Sequence, residues 1–343
     1  MVPPPLDRRS LLIGGAITAL GVACASEDST RSPEAAGPST SGPGAPPTRP
    51  PNPELPPAPN ASLEQGALPT RAFGKTGAHV TILGLGGAHA VAVQGDGALA
   101  LIERAFERGV RFFDSAHVYD FNQANLGQAL EKKRGSVFLQ TKTYARDRDT
   151  ALRDLDNSLR LMRTDHLDSW LFHDIRRHDE VDQILGPNGA LAAFTQAVDQ
   201  KMVRFIGASC HSNPTILQRL VEAHPLDCAT MSLNAADAFE KPFKTSVLPV
   251  LNQKQMGVTV MKPFGYGHLL RAISAKDAFR WVLSQEVSVA IVGANALAEI
   301  DENTDVARSF AQLSAADLAD IELRVKDVAK DATFFRWADS HTL

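Results

Sequence analysis

Val110-Arg111-Phe112-Phe113-Asp114 is a short apolar run that ends on a carboxylate. The design returns as Val137-Phe138-Leu139-Gln140-Thr141-Lys142 and again as Leu167-Asp168-Ser169-Trp170-Leu171-Phe172-His173. Runs this short, rich in β-branched and aromatic residues, read as strands buried on both faces. Working outward, further runs at 80–85, 203–208, 226–230, 257–261 and 288–292 end near Gly86, Ser209, Met231, Lys262 and Gly293. That makes eight strand ends, 22 to 36 residues apart, the length of one strand plus one crossover helix. The stretches between them have helical periodicity. Residues 98–108 place Leu99, Ile102 and Phe106 on one face, and 150–162 do the same with Leu152, Leu155, Leu159 and Met162. Asn213-Pro214 supplies a cap and a first-turn proline for the helix after the fifth strand. Eight βα units within residues 70–343 predict an α/β fold, a (β/α)8 TIM barrel. The competing arrangement is an open doubly wound sheet with a second domain. Against it, the first βα turn, Gly84-Leu85-Gly86-Gly87-Ala88-His89, lacks the third spaced glycine of a dinucleotide fingerprint.

The chain has 343 residues, 44% hydrophobic and 22% charged, which excludes a disordered or fibrous protein. Every Phe, Trp and Tyr follows residue 70, whereas 15 of the 21 prolines lie at or before Pro69. A core-poor leader therefore precedes the body. A formal net charge of −4 without a Lys/Arg block excludes a nucleic-acid footprint. Three cysteines exclude a disulfide scaffold and a Cys-rich zinc or iron–sulfur module.

Residues 1–25 read as an export signal: Arg8-Arg9 precede an apolar stretch at 11–25, too short to span a bilayer. The paired arginines resemble a twin-arginine signal, with an ordinary secretory signal as the alternative. Ala23-Cys24-Ala25 allows cleavage after Ala25, or lipidation of Cys24 as the first residue of a lipoprotein, although Gly21 stands where a leucine is usual. Residues 26–69, rich in Pro, Ser, Ala and Gly, read as a flexible spacer. The expected location is periplasmic or membrane-tethered, with the membrane reached only through Cys24.

The C-terminal strand ends of such a barrel converge on one mouth. That places Asp114, Lys142 and His173 together, with Tyr119 five residues past Asp114 on the same loop. Singly each has a structural explanation: a surface lysine, a capping aspartate, a tyrosine with a satisfied hydroxyl. Their equivalent positions on three consecutive units argue for a site instead. A phenol, with a pKa of about 10, is a poor proton donor at neutral pH. A neighbouring ammonium is expected to lower that pKa, with Lys142 in this role and Asp114 holding the lysine. His173 would orient a carbonyl or relay the proton. Such a group suits protonation of an oxygen while hydride arrives at the attached carbon.

On these residues the body, roughly 70–330, resembles the aldo-keto reductases. The carrying segments are Gly109-Val110-Arg111-Phe112-Phe113-Asp114-Ser115-Ala116-His117-Val118-Tyr119, Leu139-Gln140-Thr141-Lys142 and Trp170-Leu171-Phe172-His173-Asp174. The resemblance puts that family's catalytic four on Asp114, Tyr119, Lys142 and His173. It also implies a barrel-closing hairpin over 70–82, turning at Gly74-Lys75-Thr76-Gly77, and an extended NADP(H) or NAD(H) across the mouth. Gly86 and Gly87 would let the dinucleotide pass, and Ser209 would bind its carboxamide. Lys262 and Gly265 would meet the pyrophosphate, with Glu302 and Asn303 at the adenine. Departures exist. Cys210 stands for an asparagine, Met261 for a stacking aromatic, and Gly293, Ala294 and Glu299 for the anchors of a 2′-phosphate. A carboxylate repels a phosphate, so the preference for NADPH over NADH stays open.

The expected reaction is reduction of an aldehyde or ketone, or its reverse, on a small-molecule carbonyl substrate. Phe121, Phe264 and Tyr266 are the few aromatics expected at the mouth, which leans toward a small polar or sugar-like carbonyl. A metal-dependent hydrolase built on His117, His173, His211 and Asp114 is a weaker reading, because the first strand lacks a His-x-His pair and His89 stands alone; no metal is expected. A non-catalytic module that holds its cofactor as a redox sensor, or binds a partner through Phe334-Phe335-Arg336-Trp337, is the main alternative. Cys210 and Cys228, on neighbouring units but at different heights, are expected to be free thiols.

Overall fold

The computed structural model describes residues 55–88, 95–119 and 121–336. Arg8, Arg9, Cys24, residues 26–54, His89 and Trp337 lie outside the described residues. A hairpin of β1 (Thr70–Ala72) and β2 (His79–Thr81) precedes the barrel. The barrel strands are β3 (Leu83–Gly86), β4 (Phe112–Asp114), β5 (Phe138–Thr143), β6 (Leu167–Phe172), β7 (Val203–Cys210), β8 (Cys228–Ser232), β9 (Gly257–Met261) and β10 (Val289–Val292). All pair in parallel, and β10 returns to β3 through Ala290↔Leu83 and Val292↔Leu85, closing the cylinder. The eight-unit reading and the barrel therefore hold. Two expected strands shift. The run at 80–85 splits between the hairpin and β3, and the sixth strand sits two residues later than its apolar run.

Burial explains why the strands read as they do. All six residues of β5 and of β6 are buried, as in a parallel sheet covered by helices outside and side chains within. The helix α1 (Asp96–Glu107) buries Ala98, Leu101, Ile102 and Ala105, so Leu101 rather than Leu99 faces the core. The helix α3 (Arg148–Leu161) buries Leu152, Leu155 and Leu159 as expected, with Asp147 capping the Thr150 N–H. Asn213 caps α6 (Pro214–Ala223). Among the described residues no helix is long and apolar enough to cross a membrane.

The hairpin plugs the N-terminal end of the cylinder. Phe73 lies 4.9 Å from the Phe138 ring, which stacks on Phe112 at 5.0 Å. Gly257 is required here, since a Cβ would lie 2.7 Å from the Phe73 ring. Residues 55–69, which composition assigns to the spacer, belong to the folded body. Leu68 and Ala61 are buried, the Leu68 N–H donates to Gly109 O at 3.0 Å, and the His79 N–H donates to Pro59 O at 3.1 Å. A few apolar anchors and main-chain bonds suffice to hold a proline-rich segment whose entropy is already low. Cys210 and Cys228 are buried free thiols, three residues apart in the register of β7 on β8.

Candidate active site

The plug leaves the opposite end open, and there the ends of β3, β4, β5, β6, β7, β9 and β10 surround a cavity of about 290 Å³. Asp114, Tyr119 and His173 line it, together with Tyr144, Arg176, His211, Lys262 and Tyr266. Lys142 lies just beneath, inside β5 rather than after it, and is 2% exposed. Its Nζ donates to Asp114 Oδ1 at 2.6 Å, to Oδ2 at 2.7 Å and to Ser115 O at 2.7 Å. An ammonium has three donors, and all three are used. The pair is buried on both sides, so its attraction is little screened.

Gln140, which sequence reasoning left as a strand residue, holds the pair in place. Its Nε2 donates to Asp114 Oδ1 at 2.8 Å while its Oε1 accepts from Ser169 Oγ at 2.9 Å. The signal was present, since an amide inside an otherwise apolar run needs a partner. Tyr144 is a second residue missed. Its ring stacks on His173 at 4.1 Å, and the Tyr119 ring meets the same imidazole edge-on at 5.8 Å. The imidazole is thereby clamped, with its Nδ1 buried and unpartnered.

The electrostatics correct one expectation. Lys142 sits 5.4 Å from the Tyr119 ring centroid, but its ammonium is turned to both oxygens of Asp114. Burial, with Asp114 adding to it, pushes the Tyr119 hydroxyl well above the usual 10. Burial likewise holds His173 well below the usual imidazole range, reinforced by the positive charge of Lys142. Lys142 itself is lowered by burial against the pull of Asp114. At neutral pH the cavity thus holds a protonated phenol and a neutral imidazole.

The residues assigned to a dinucleotide are dispersed. Gly86, Lys262 and Gly293 line the cavity. Gly87 does not: the place of its missing side chain is taken by Asn122 Oδ1, 2.1 Å from where a Cβ would lie. Gly265, with φ +54°, packs on Ala332 instead of the cavity. The Ser209 hydroxyl accepts from the Asp174 N–H at 2.7 Å and donates to Phe172 O at 3.3 Å, so the backbone already engages it. Glu302 is half-buried on α9 (Leu297–Arg308), where Asn303 is buried with its Oδ1 unpartnered beside a small gap behind β3. Glu299 is buried and accepts from the Asn295 N–H at 2.7 Å. Phe264 and Tyr266 face the cavity as expected, whereas Phe121 is exposed at the start of α2 (Asn122–Leu130). His117 reaches Asp154 at 3.2 Å rather than the other histidines. Phe335 and Arg336 are buried, and Tyr266 packs on Phe334 at 5.2 Å, so this segment backs the cavity wall.

A profile of the Aldo/keto reductase family matches residues 82–277, the stretch that carries β3 through β9 and the paired Asp114 and Lys142. The chain belongs to the aldo/keto reductase family. Among its relatives is "Uncharacterized oxidoreductase YqkF" of Bacillus subtilis, 22% identical over 213 residues that span 58% of this chain and 66% of that protein. "Methylglyoxal reductase DkgB" of Salmonella typhi is 29% identical over 133 residues, 37% of this chain and 48% of that one. The chain thus spans less than two thirds of the length of either relative. Among solved structures, this aldo/keto reductase barrel resembles the holo form of aldo-keto reductase AKR11C1 from Bacillus halodurans. The TM-score is 0.62 at 18% identity, covering 77% of this chain and 97% of that one. A Klebsiella pneumoniae aldo-keto reductase solved in complex with NADPH scores 0.60 at 22% identity, covering 76% and 96%.

Proposed function

We propose that this aldo/keto reductase is an NAD(P)H-dependent enzyme that reduces an aldehyde or ketone to an alcohol, with Tyr119 as general acid. One observation carries the reading. A phenol and an imidazole face one small cavity, above a lysine–aspartate pair with no free donor. Tyr119 holds its proton at neutral pH and can deliver it to a carbonyl oxygen. His173, clamped by Tyr144, can donate a hydrogen bond to the same oxygen and set its orientation. Lys142 and Asp114 supply a rigid, nearly neutral floor.

The residues fit a dinucleotide. Gly86 and Gly293 leave the cavity rim without side chains. When bound, NAD(P)H supplies the hydride. The cavity is at the small end of ligand sites, so the rest of the dinucleotide would lie outside it. The NADPH in the Klebsiella relative supports NADP(H), while Glu299 at the expected 2′-phosphate anchor supports NADH.

The test is oxidation of NADPH or NADH by the purified chain over a panel of aldehydes, with Tyr119→Phe beside it. The variant should lose about 10²–10⁴-fold in turnover and keep dinucleotide binding; loss of binding instead would refute the role. Bound dinucleotide without turnover on any carbonyl would favour the redox-sensor alternative. We further propose export by the twin-arginine route, with Cys24 as a lipid anchor, on the strength of Arg8-Arg9 and the apolar stretch that follows. Replacing both arginines with lysine should hold the protein in the cytoplasm, and the intact mass of the mature chain reports on Cys24.

A further inference from the structure

One wall of the cavity has a charge that the proton-transfer residues do not use. Five charged side chains lie in or directly behind the cavity: Asp114, Lys142, Asp174, Arg176 and Lys262. Lys142 cancels Asp114, and Arg176 Nε donates to Asp174 Oδ2. Lys262 is left over. Among the described residues its Nζ has no carboxylate within ion-pair distance; its polar partner is His211 Nδ1 at 3.1 Å. Phe335 and Tyr266 cover its other sides, at 4.0 and 4.8 Å from the ring centroids.

The wall also presents donors without acceptors. With Lys262 donating to Nδ1, the His211 proton sits on Nε2, which is buried and unpartnered. The backbone N–H of Arg176 donates to Glu180 Oε2 at 2.6 Å, and its side chain donates from Nε to Asp174; the residue lines the cavity. The chain holds this wall under strain. Asp174, Lys262 and Tyr266 are non-glycine residues with left-handed φ of 44°, 63° and 56°. Such strain persists where the surroundings enforce it.

We propose that Arg176, His211 and Lys262 form a subsite for the anionic group of the substrate, so that the compounds reduced are carbonyl compounds carrying a carboxylate or phosphate. This rests on the reductase reading above, and it replaces the neutral, sugar-like substrate that the few aromatics suggest. A lysine with no carboxylate at ion-pair distance, an unpartnered imidazole nitrogen and a guanidinium lining one cavity match an oxyanion, and charge-assisted hydrogen bonds are the strong ones. The subsite lies in the same cavity as Tyr119 and His173; the His211 and His173 rings are 6.2 Å apart. A short oxo acid could therefore place its carbonyl at the phenol and its carboxylate at Lys262. Burial lowers Lys262 to about 7, against the pull of Asp174 and with the push of Arg176 and Arg336. An anion beside it restores the ammonium, so binding above neutrality takes up a proton.

The same cations could serve the pyrophosphate of the dinucleotide, the place that the family resemblance gives Lys262. Calorimetric titration of the full chain with succinate and with inorganic phosphate separates the two. It is run at pH 8 in two buffers of different ionisation enthalpy, with and without saturating NADPH. The expected result is binding of an anion with proton uptake that persists when the dinucleotide is bound, weakened about tenfold or more in Lys262→Met and in Arg176→Gln. Binding of neither anion, binding abolished by NADPH, or binding indifferent to both substitutions overturns the proposal. If a variant does not fold, the wild-type titrations decide alone. Kinetics then compares succinic semialdehyde with butanal. The ratio of kcat/KM should favour the acid at least tenfold and fall toward one in Arg176→Gln, and a wild-type ratio near one also overturns the proposal. If neither aldehyde is reduced while anion binding persists, the reductase reading fails and the anion subsite stands.

Discussion

Removing the Lys142 ammonium tests the reasoning about the cavity floor most directly. In Lys142→Met the Asp114 carboxylate, 6% exposed, keeps the Gln140 amide at 2.8 Å and loses two contacts of 2.6 and 2.7 Å to the former Nζ, while Ser115 O loses a third. An uncompensated buried charge of this kind costs about 3–5 kcal/mol. Asp114→Asn strands Lys142 in the same way and should cost about as much. The double variant has no buried charge, and its asparagine can still accept from Gln140 Nε2. It should therefore be more stable than either single variant, with a coupling energy of several kcal/mol. Urea unfolding of the four proteins without dinucleotide measures this. Turnover should fall in all three variants, so stability returns where activity does not. If the two single costs simply add in the double variant, the pair is not a closed, low-dielectric unit and the account of Tyr119 fails with it.

Two further outcomes are expected. Arg336 and Asp237 form an ion pair with both side chains fully buried, and the arginine also donates to Ser232 O at 3.2 Å and to Glu240 O. Arg336→Met should lower the melting temperature on the order of 10 °C and loosen Phe334 and Phe335 from Tyr266; a change under 2 °C would refute the anchoring role. Lys262 is lowered to about 7, below the ordinary lysine value near 10.4, so between these values the unfolded chain binds more protons than the folded one. Its destabilising contribution is complete below pH 7 and fades as pH rises. Stability should therefore climb from pH 7 to pH 9 relative to Lys262→Met, and an equal pH dependence in both proteins would show that the amine is not perturbed.

The neighbours in space, unlike the strand ends, left weak traces in the sequence. Asp114, Lys142 and His173 were legible because each closes an apolar run, and Tyr119 because it lies five residues past one of them. Tyr144 and Arg176 were not, since a side chain a few residues past a strand end has many uses, and Gln140 left only the trace of an amide in an otherwise apolar strand. Ser209 has a neighbour that the sequence does not show. Its position matches a family role, and its hydroxyl also accepts from the Asp174 N–H, 35 residues earlier in the chain. Residues 55–69 looked like spacer because composition reports entropy and cannot show the Gly109 carbonyl waiting for Leu68.

What the sequence by itself determined is the number of βα units, their order, and the residues delivered to one end of the barrel. These follow from local periodicity, which burial on both strand faces imposes directly. Only the tertiary structure decided the charge balance at that end. Whether Lys142 acts on Tyr119 or is consumed by Asp114, and whether Lys262 finds a carboxylate, depends on distances across the closed barrel. Those distances join residues tens of positions apart, and burial then sets the direction of each pKa.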